Sequence, residues 1–73
     1  MKEVIEVLEE IKPGIDYNNE KHLVTDELIT SFDIVMLIPL LNEKFNIEIS
    51  VMDLLPENFE SVETIYDLVS KLK

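Results

Sequence analysis

Three stretches of this 73-residue chain repeat apolar side chains at helical spacing, and that periodicity limits the possible folds more than any other feature. Val4, Val7, Leu8 and Ile11 form the first stripe, with Glu3, Glu6, Glu9 and Glu10 on the opposite side. Ile34, Leu37, Ile38, Leu41 and Phe45 form the second, and Val62, Ile65, Tyr66, Val69 and Leu72 the third. A helix striped along one side has to bury that stripe against another helix. With one glycine and three prolines, the chain is too poor in turn residues for a β fold. The expectation is an all-α, four-helix bundle of three longer helices and one short one, forming a single domain over residues 1–73.

Local signals place the ends. The first helix is predicted over residues 2–12, with Lys12 near the negative end of its dipole and Pro13-Gly14 stopping it. Residues 13–30 form a long connection, too rich in Ile15, Tyr17, Leu23, Val24, Leu28 and Ile29 to hang free; it is expected to pack on the bundle with a turn near 25–29. The second helix is predicted over 31–45. Pro39 removes one of its amides and should either bend it or split it, and the unbroken stripe favours the bend. Ser50 with Asp53 is expected to cap a short helix over about 51–55, turning Leu54 and Leu55 inward. Phe59 in the turn Pro56–Phe59 is a candidate core plug, and Ser61 a cap for the last helix, 62–72.

Sixteen acidic side chains against six lysines give a net charge of −10. Such a field repels nucleic acid and anionic membranes and favours basic protein surfaces. The longest apolar run, Ile34 to Leu41, is too short to span a bilayer, and the acidic amphipathic start is unlike a secretion signal. A cytoplasmic monomer that neither inserts into membranes nor binds nucleic acid is therefore expected. The chain has no cysteine, one isolated histidine (His22) and no alternating Asp/Asn loop, so neither a metal site nor a nucleophile–base pair is expected, and the chain is not expected to be an enzyme.

One stretch stands apart. Thr30-Ser31-Phe32-Asp33 opens the second helix, and either hydroxyl can cap it. Asp33 lies in the first turn, where the dipole favours a carboxylate. A phosphate on Ser31 would be stabilised by the same dipole and by free N–H groups. If Thr30 is the cap, Ser31 stands exposed at the first helical position. Phe32, Val35 and Met36 follow in the first turns, forming an apolar group bordered by carboxylates that reads as a docking face.

The whole layout resembles the acyl carrier protein family, which includes peptidyl and D-alanyl carrier proteins. The resemblance rests on the acidic first helix, the long loop, Thr30-Ser31-Phe32-Asp33, Glu43-Lys44-Phe45-Asn46-Ile47-Glu48-Ile49 after the second helix, and Ser61-Val62-Glu63-Thr64-Ile65 opening the last. It implies that Ser31 carries 4′-phosphopantetheine, installed from coenzyme A by a magnesium-dependent phosphopantetheinyl transferase. An acyl or aminoacyl group would then ride as a thioester in fatty-acid, polyketide, peptide-type or D-alanine-type pathways. Thr30, Phe32, Asp33, Val35 and Met36 become the expected docking residues for loading and transferring enzymes with basic or apolar patches. Thr30 stands where the family usually has aspartate, Met36 where fatty-acid carriers often have glutamate, and Pro39 is uncommon in that helix. The less acidic, apolar start of that helix looks more like carriers for peptide-type or D-alanine-type pathways. The competing expectation, favoured by Thr30 and Pro39, is an acidic helical adaptor that never carries a cofactor.

Overall fold

A computed structural model describes residues 2–73. Three α-helices follow in chain order: α1 (Lys2–Ile11), α2 (Ser31–Phe45) and α3 (Val62–Leu72). Two 3₁₀ turns, Val51–Asp53 and Pro56–Phe59, lie between α2 and α3, and there is no strand among the described residues. α1 packs mainly on α2, α3 on the second 3₁₀ turn, and α1 also on α3.

The predicted stripes are the core. Val4, Val7 and Leu8 of α1, Ile34, Leu37 and Leu41 of α2, and Val62, Ile65, Leu68 and Val69 of α3 are all buried. Leu68 joins the third stripe one turn after Ile65, while Tyr66 and Leu72 lie partly buried at its margin. Phe59 is fully buried beneath α3. α2 runs through Pro39 as one helix. The carbonyl of Val35, deprived of its donor by Pro39, lies on a residue that is 60% exposed, so water can satisfy it. Asn46 ends α2 in the left-handed conformation, its N–H donating to the Asn42 carbonyl.

The fourth helix is the part of the expected architecture that needs correction. Ser50 and Asp53 do pair, the Asp53 carboxylate accepting from the Ser50 N–H at 3.2 Å and hydroxyl at 3.1 Å. Yet only the single 3₁₀ turn Val51–Asp53 forms. The turn stops at Leu54, which sits at φ −83°, ψ 54°, and Pro56 then disfavours helical dihedrals at Leu55, which lies at φ −97°, ψ 137°. Leu54 still reaches the core margin, but Leu55 is 47% exposed rather than turned inward.

The long connection is packed, as its composition required. Tyr17, Leu23 and Ile29 are buried, and the turn falls at residues 23–27, slightly earlier than expected. The radius of gyration is 10.8 Å, against about 11 Å for a compact chain of this length, so the loop adds no bulk at the periphery. Gly14, at φ +94°, gives the sharp exit from α1 that glycine alone makes without strain. At the far end, Glu60 acts as a clasp. Its Oε1 accepts the N–H groups of Val24 and Thr25, both at 3.0 Å, Oε2 accepts the Thr25 hydroxyl, and its carbonyl accepts the Leu23 N–H at 2.9 Å. The bonds to its carboxylate from the Thr25 hydroxyl, the Thr25 N–H and the Val24 N–H hold the Glu60 carboxyl below its usual range.

Candidate functional site

The start of α2 is organised by Thr30. Its extended backbone (φ −110°, ψ 173°) turns the chain into the helix, and its carbonyl accepts the first helical bond, from the Ile34 N–H at 3.0 Å. The Thr30 hydroxyl accepts from the Asp33 N–H at 3.3 Å and donates to the Asp33 carboxylate at 3.1 Å. That carboxylate in turn accepts the Thr30 N–H at 2.9 Å. This is a closed capping box, and it answers the question the sequence left open: Thr30 is the cap. Ser31 is the first residue of the helix and lies exposed, its side chain outside the box.

Asp33 is further drawn in by Lys12. Lys12 Nζ approaches Asp33 Oδ2 at 3.4 Å, tying the end of α1 to the start of α2, and the Asp33 side chain is only 13% exposed. Partial burial opposes ionisation of Asp33. The Thr30 N–H, the Thr30 hydroxyl and the Lys12 ammonium outweigh it and lower its pKa. The Lys12 backbone is held too, because the Tyr17 hydroxyl donates to its carbonyl. Tyr17 is buried, and desolvation, with Glu9 and Asp33 adding, pushes its phenol up to about 12, so it stays a donor at any ordinary pH.

Around this framework the expected docking residues separate. Thr30 is exposed, and Phe32, Val35 and Met36 are 70%, 60% and 42% exposed. Asp33 is turned back into the cap rather than offered to solvent. The surface beside Ser31 is thus apolar, in a protein whose other faces are strongly acidic. In the first 3₁₀ turn, Val51 and Met52 are also apolar and exposed by more than four-fifths, which sequence reasoning missed. The signal was present: Ser50-Val51-Met52-Asp53 repeats the spacing of Thr30-Ser31-Phe32-Asp33, and the two residues after a cap face outward in both.

Two surface grooves exist elsewhere. One, between α1 and α2, is lined by Glu6, Glu9, Glu10, Leu40, Glu43 and Lys44. The other lies beside His22, Leu55, Pro56, Glu60 and Thr64. Neither is lined by Ser31. Among the described residues no group of three His, Cys, Asp or Glu side chains is placed to hold a metal ion, and no helix is long and apolar enough to cross a membrane.

An acyl carrier protein of Buchnera aphidicola subsp. Baizongia pistaciae (strain Bp) is 47% identical to this chain over 53 residues, which cover 73% of the chain and 65% of the relative. Over that stretch the chain is similar to an acyl carrier protein. The match spans just under two thirds of the relative's length. No family model matches the chain, and no solved structure matches it with significance. The all-helical architecture is consistent with the acyl carrier fold, with 3₁₀ turns in the place of a fourth helix. Before Ser31, Thr30 supplies a cap rather than a charge, and Lys12 pairs with the Asp33 carboxylate of that cap.

Proposed function

We propose that this chain, acting as a single domain over residues 1–73, is a carrier and not an enzyme, with 4′-phosphopantetheine attached to Ser31. The observation that carries the reading is that Ser31 stands exposed at the first position of α2 while Thr30 does the capping. A hydroxyl tied into a cap would have to break the helix end to react; this one does not. The residues fit the group: the dipole of α2 favours a phosphate at its N-terminus, and no aliphatic wall covers Ser31, whose neighbours Thr30 and Phe32 are also exposed.

Ser31 Oγ is the nucleophile in the attachment. The Oγ–P bond forms as the pyrophosphate P–O bond of coenzyme A breaks, the hydroxyl proton passes to a base of the transferase, and adenosine 3′,5′-bisphosphate leaves. The transferase supplies that base and its magnesium, which suits a chain without a base beside Ser31. Once bound, the arm supplies the thiol that holds an acyl or aminoacyl group as a thioester. Phe32, Val35 and Met36, with Thr30 at their edge, form the face that the transferase and the loading enzymes contact. Buried apolar area on that face supplies affinity, and the surrounding carboxylates steer basic partners. The apolar start of α2 suits peptide-type or D-alanine-type pathways better than fatty-acid synthesis, with the protein working as a cytoplasmic monomer.

Intact mass spectrometry after incubation with coenzyme A, magnesium and a phosphopantetheinyl transferase tests the proposal. One phosphopantetheine mass increment is expected on the wild type and none on Ser31→Ala. No gain with several transferases, or a gain that survives Ser31→Ala, refutes attachment at Ser31 and leaves the cofactor-free adaptor as the better account.

A further inference from the structure

We infer that Lys12 is a positioning residue for the phosphodiester on Ser31, its ammonium acting as the counter-charge to the phosphate as well as to Asp33. The inference rests on attachment at Ser31. Of the three lysine–carboxylate pairs among the described residues, Lys21–Glu63 and Lys44–Glu6 lie elsewhere, and Lys12–Asp33 is the one at the start of α2. Asp33 Oδ2 lies 3.4 Å from Lys12 Nζ and 2.9 Å from the N–H of Thr30, the residue that precedes Ser31. The ammonium and the Thr30 N–H thus share one carboxylate oxygen, which places the charge at the cap one residue ahead of Ser31.

Three features suit it to a second anion. Its contact with Asp33 is longer than the 2.7–2.9 Å or so of a tight charge-assisted bond, so its donors are not used up by one oxygen. An ammonium carries three N–H groups, and the Lys12 side chain is 43% exposed, leaving part of it facing solvent. Its backbone, by contrast, is fixed: the Tyr17 hydroxyl holds the Lys12 carbonyl, and Pro13 and Gly14 turn the chain away immediately afterwards. A phosphodiester adds a negative charge close to Asp33 on a protein already at −10. The dipole of α2 offsets part of that repulsion, and Lys12 offsets more of it.

If Lys12 served only to pair α1 with α2, its removal would weaken the unmodified and modified proteins equally. The test compares both forms of the wild type, Lys12→Met and Lys12→Arg by chemical denaturation at low salt. Each modified form is prepared with coenzyme A, magnesium and transferase and verified by intact mass. Met keeps the apolar stem, and far-UV circular dichroism verifies that each variant folds. Lys12→Met is expected to cost the modified form roughly two- to five-fold more in folding equilibrium constant than the unmodified form, the scale of one exposed ion pair. The difference should shrink in high salt, and Lys12→Arg should abolish it. The ³¹P resonance of the modified protein should move in Lys12→Met and stay near the wild-type position in Lys12→Arg. Equal losses in both forms with an unmoved ³¹P resonance overturn the role of Lys12. Because mass gain on the wild type is read first, failure of attachment at Ser31 is seen separately; it removes the phosphodiester and refutes both conclusions.

Discussion

Replacing Asp33 should expose how much the start of α2 depends on one carboxylate. Asp33→Ala removes the acceptor of the Thr30 N–H at 2.9 Å, the partner of Lys12 at 3.4 Å and the negative charge in the first turn. A hydrogen bond to a charged group contributes about 1.5–3 kcal/mol, the first-turn charge about 0.3–1 and a partly exposed ion pair up to about 1. All three act through the same side chain, so they do not add in full. A loss of about 2–3 kcal/mol is expected, equivalent to a fall in Tm of about 8–24 °C for a chain of this size. Asp33→Asn keeps a neutral acceptor and should cost less. Glu10→Gln, which removes an exposed charge from α1, controls for relief of overall repulsion and should be neutral or slightly stabilising. The pH dependence provides a second check. The folded-state pKa of Asp33 lies below its ordinary value of 3.8, so its stabilisation is complete above the ordinary carboxyl range and lost as pH falls through the folded value. Urea unfolding of the three variants between pH 7 and pH 3 measures both effects. If Asp33→Ala lies within about 0.5 kcal/mol of wild type at pH 7, or loses stability on acidification as steeply as wild type, this account of the cap is wrong.

Other outcomes can be measured on the same material. Glu60→Ala should speed hydrogen exchange at the Val24 and Thr25 amides while α1 amides stay protected. In the wild type that protection should fall as pH drops through the lowered Glu60 pKa, because the ionised carboxylate is the acceptor. Leu23→Ala should cost about 2–5 kcal/mol in denaturant unfolding, because Leu23 is fully buried; a cost under ~1 kcal/mol would mean that the loop does not contribute to the core. Added salt or divalent cations should raise Tm, since they screen a net charge of −10, and a melting curve indifferent to both would contradict the electrostatic picture.

Whatever depends on neighbours three or four residues apart could be read in the chain by itself. The bounds of α2 and α3, the Ser61 cap, the stripes and the outward-facing Phe32 follow from helical spacing and capping rules, while the choice of Thr30 over Ser31 as the cap of α2 did not. The short helix promised by Ser50 and Asp53 formed only as a single 3₁₀ turn, with Leu55 extended before Pro56 just beyond it. Only packing could decide the rest. Lys12 meets Asp33, and Glu60 meets Thr25, across loops whose path depends on where Tyr17 and Leu23 bury themselves. No periodicity encodes such encounters, because they arise from the three-dimensional closure of the core. The hydroxyl of Ser31 was therefore legible in the sequence, while the ammonium at the cap ahead of it was not.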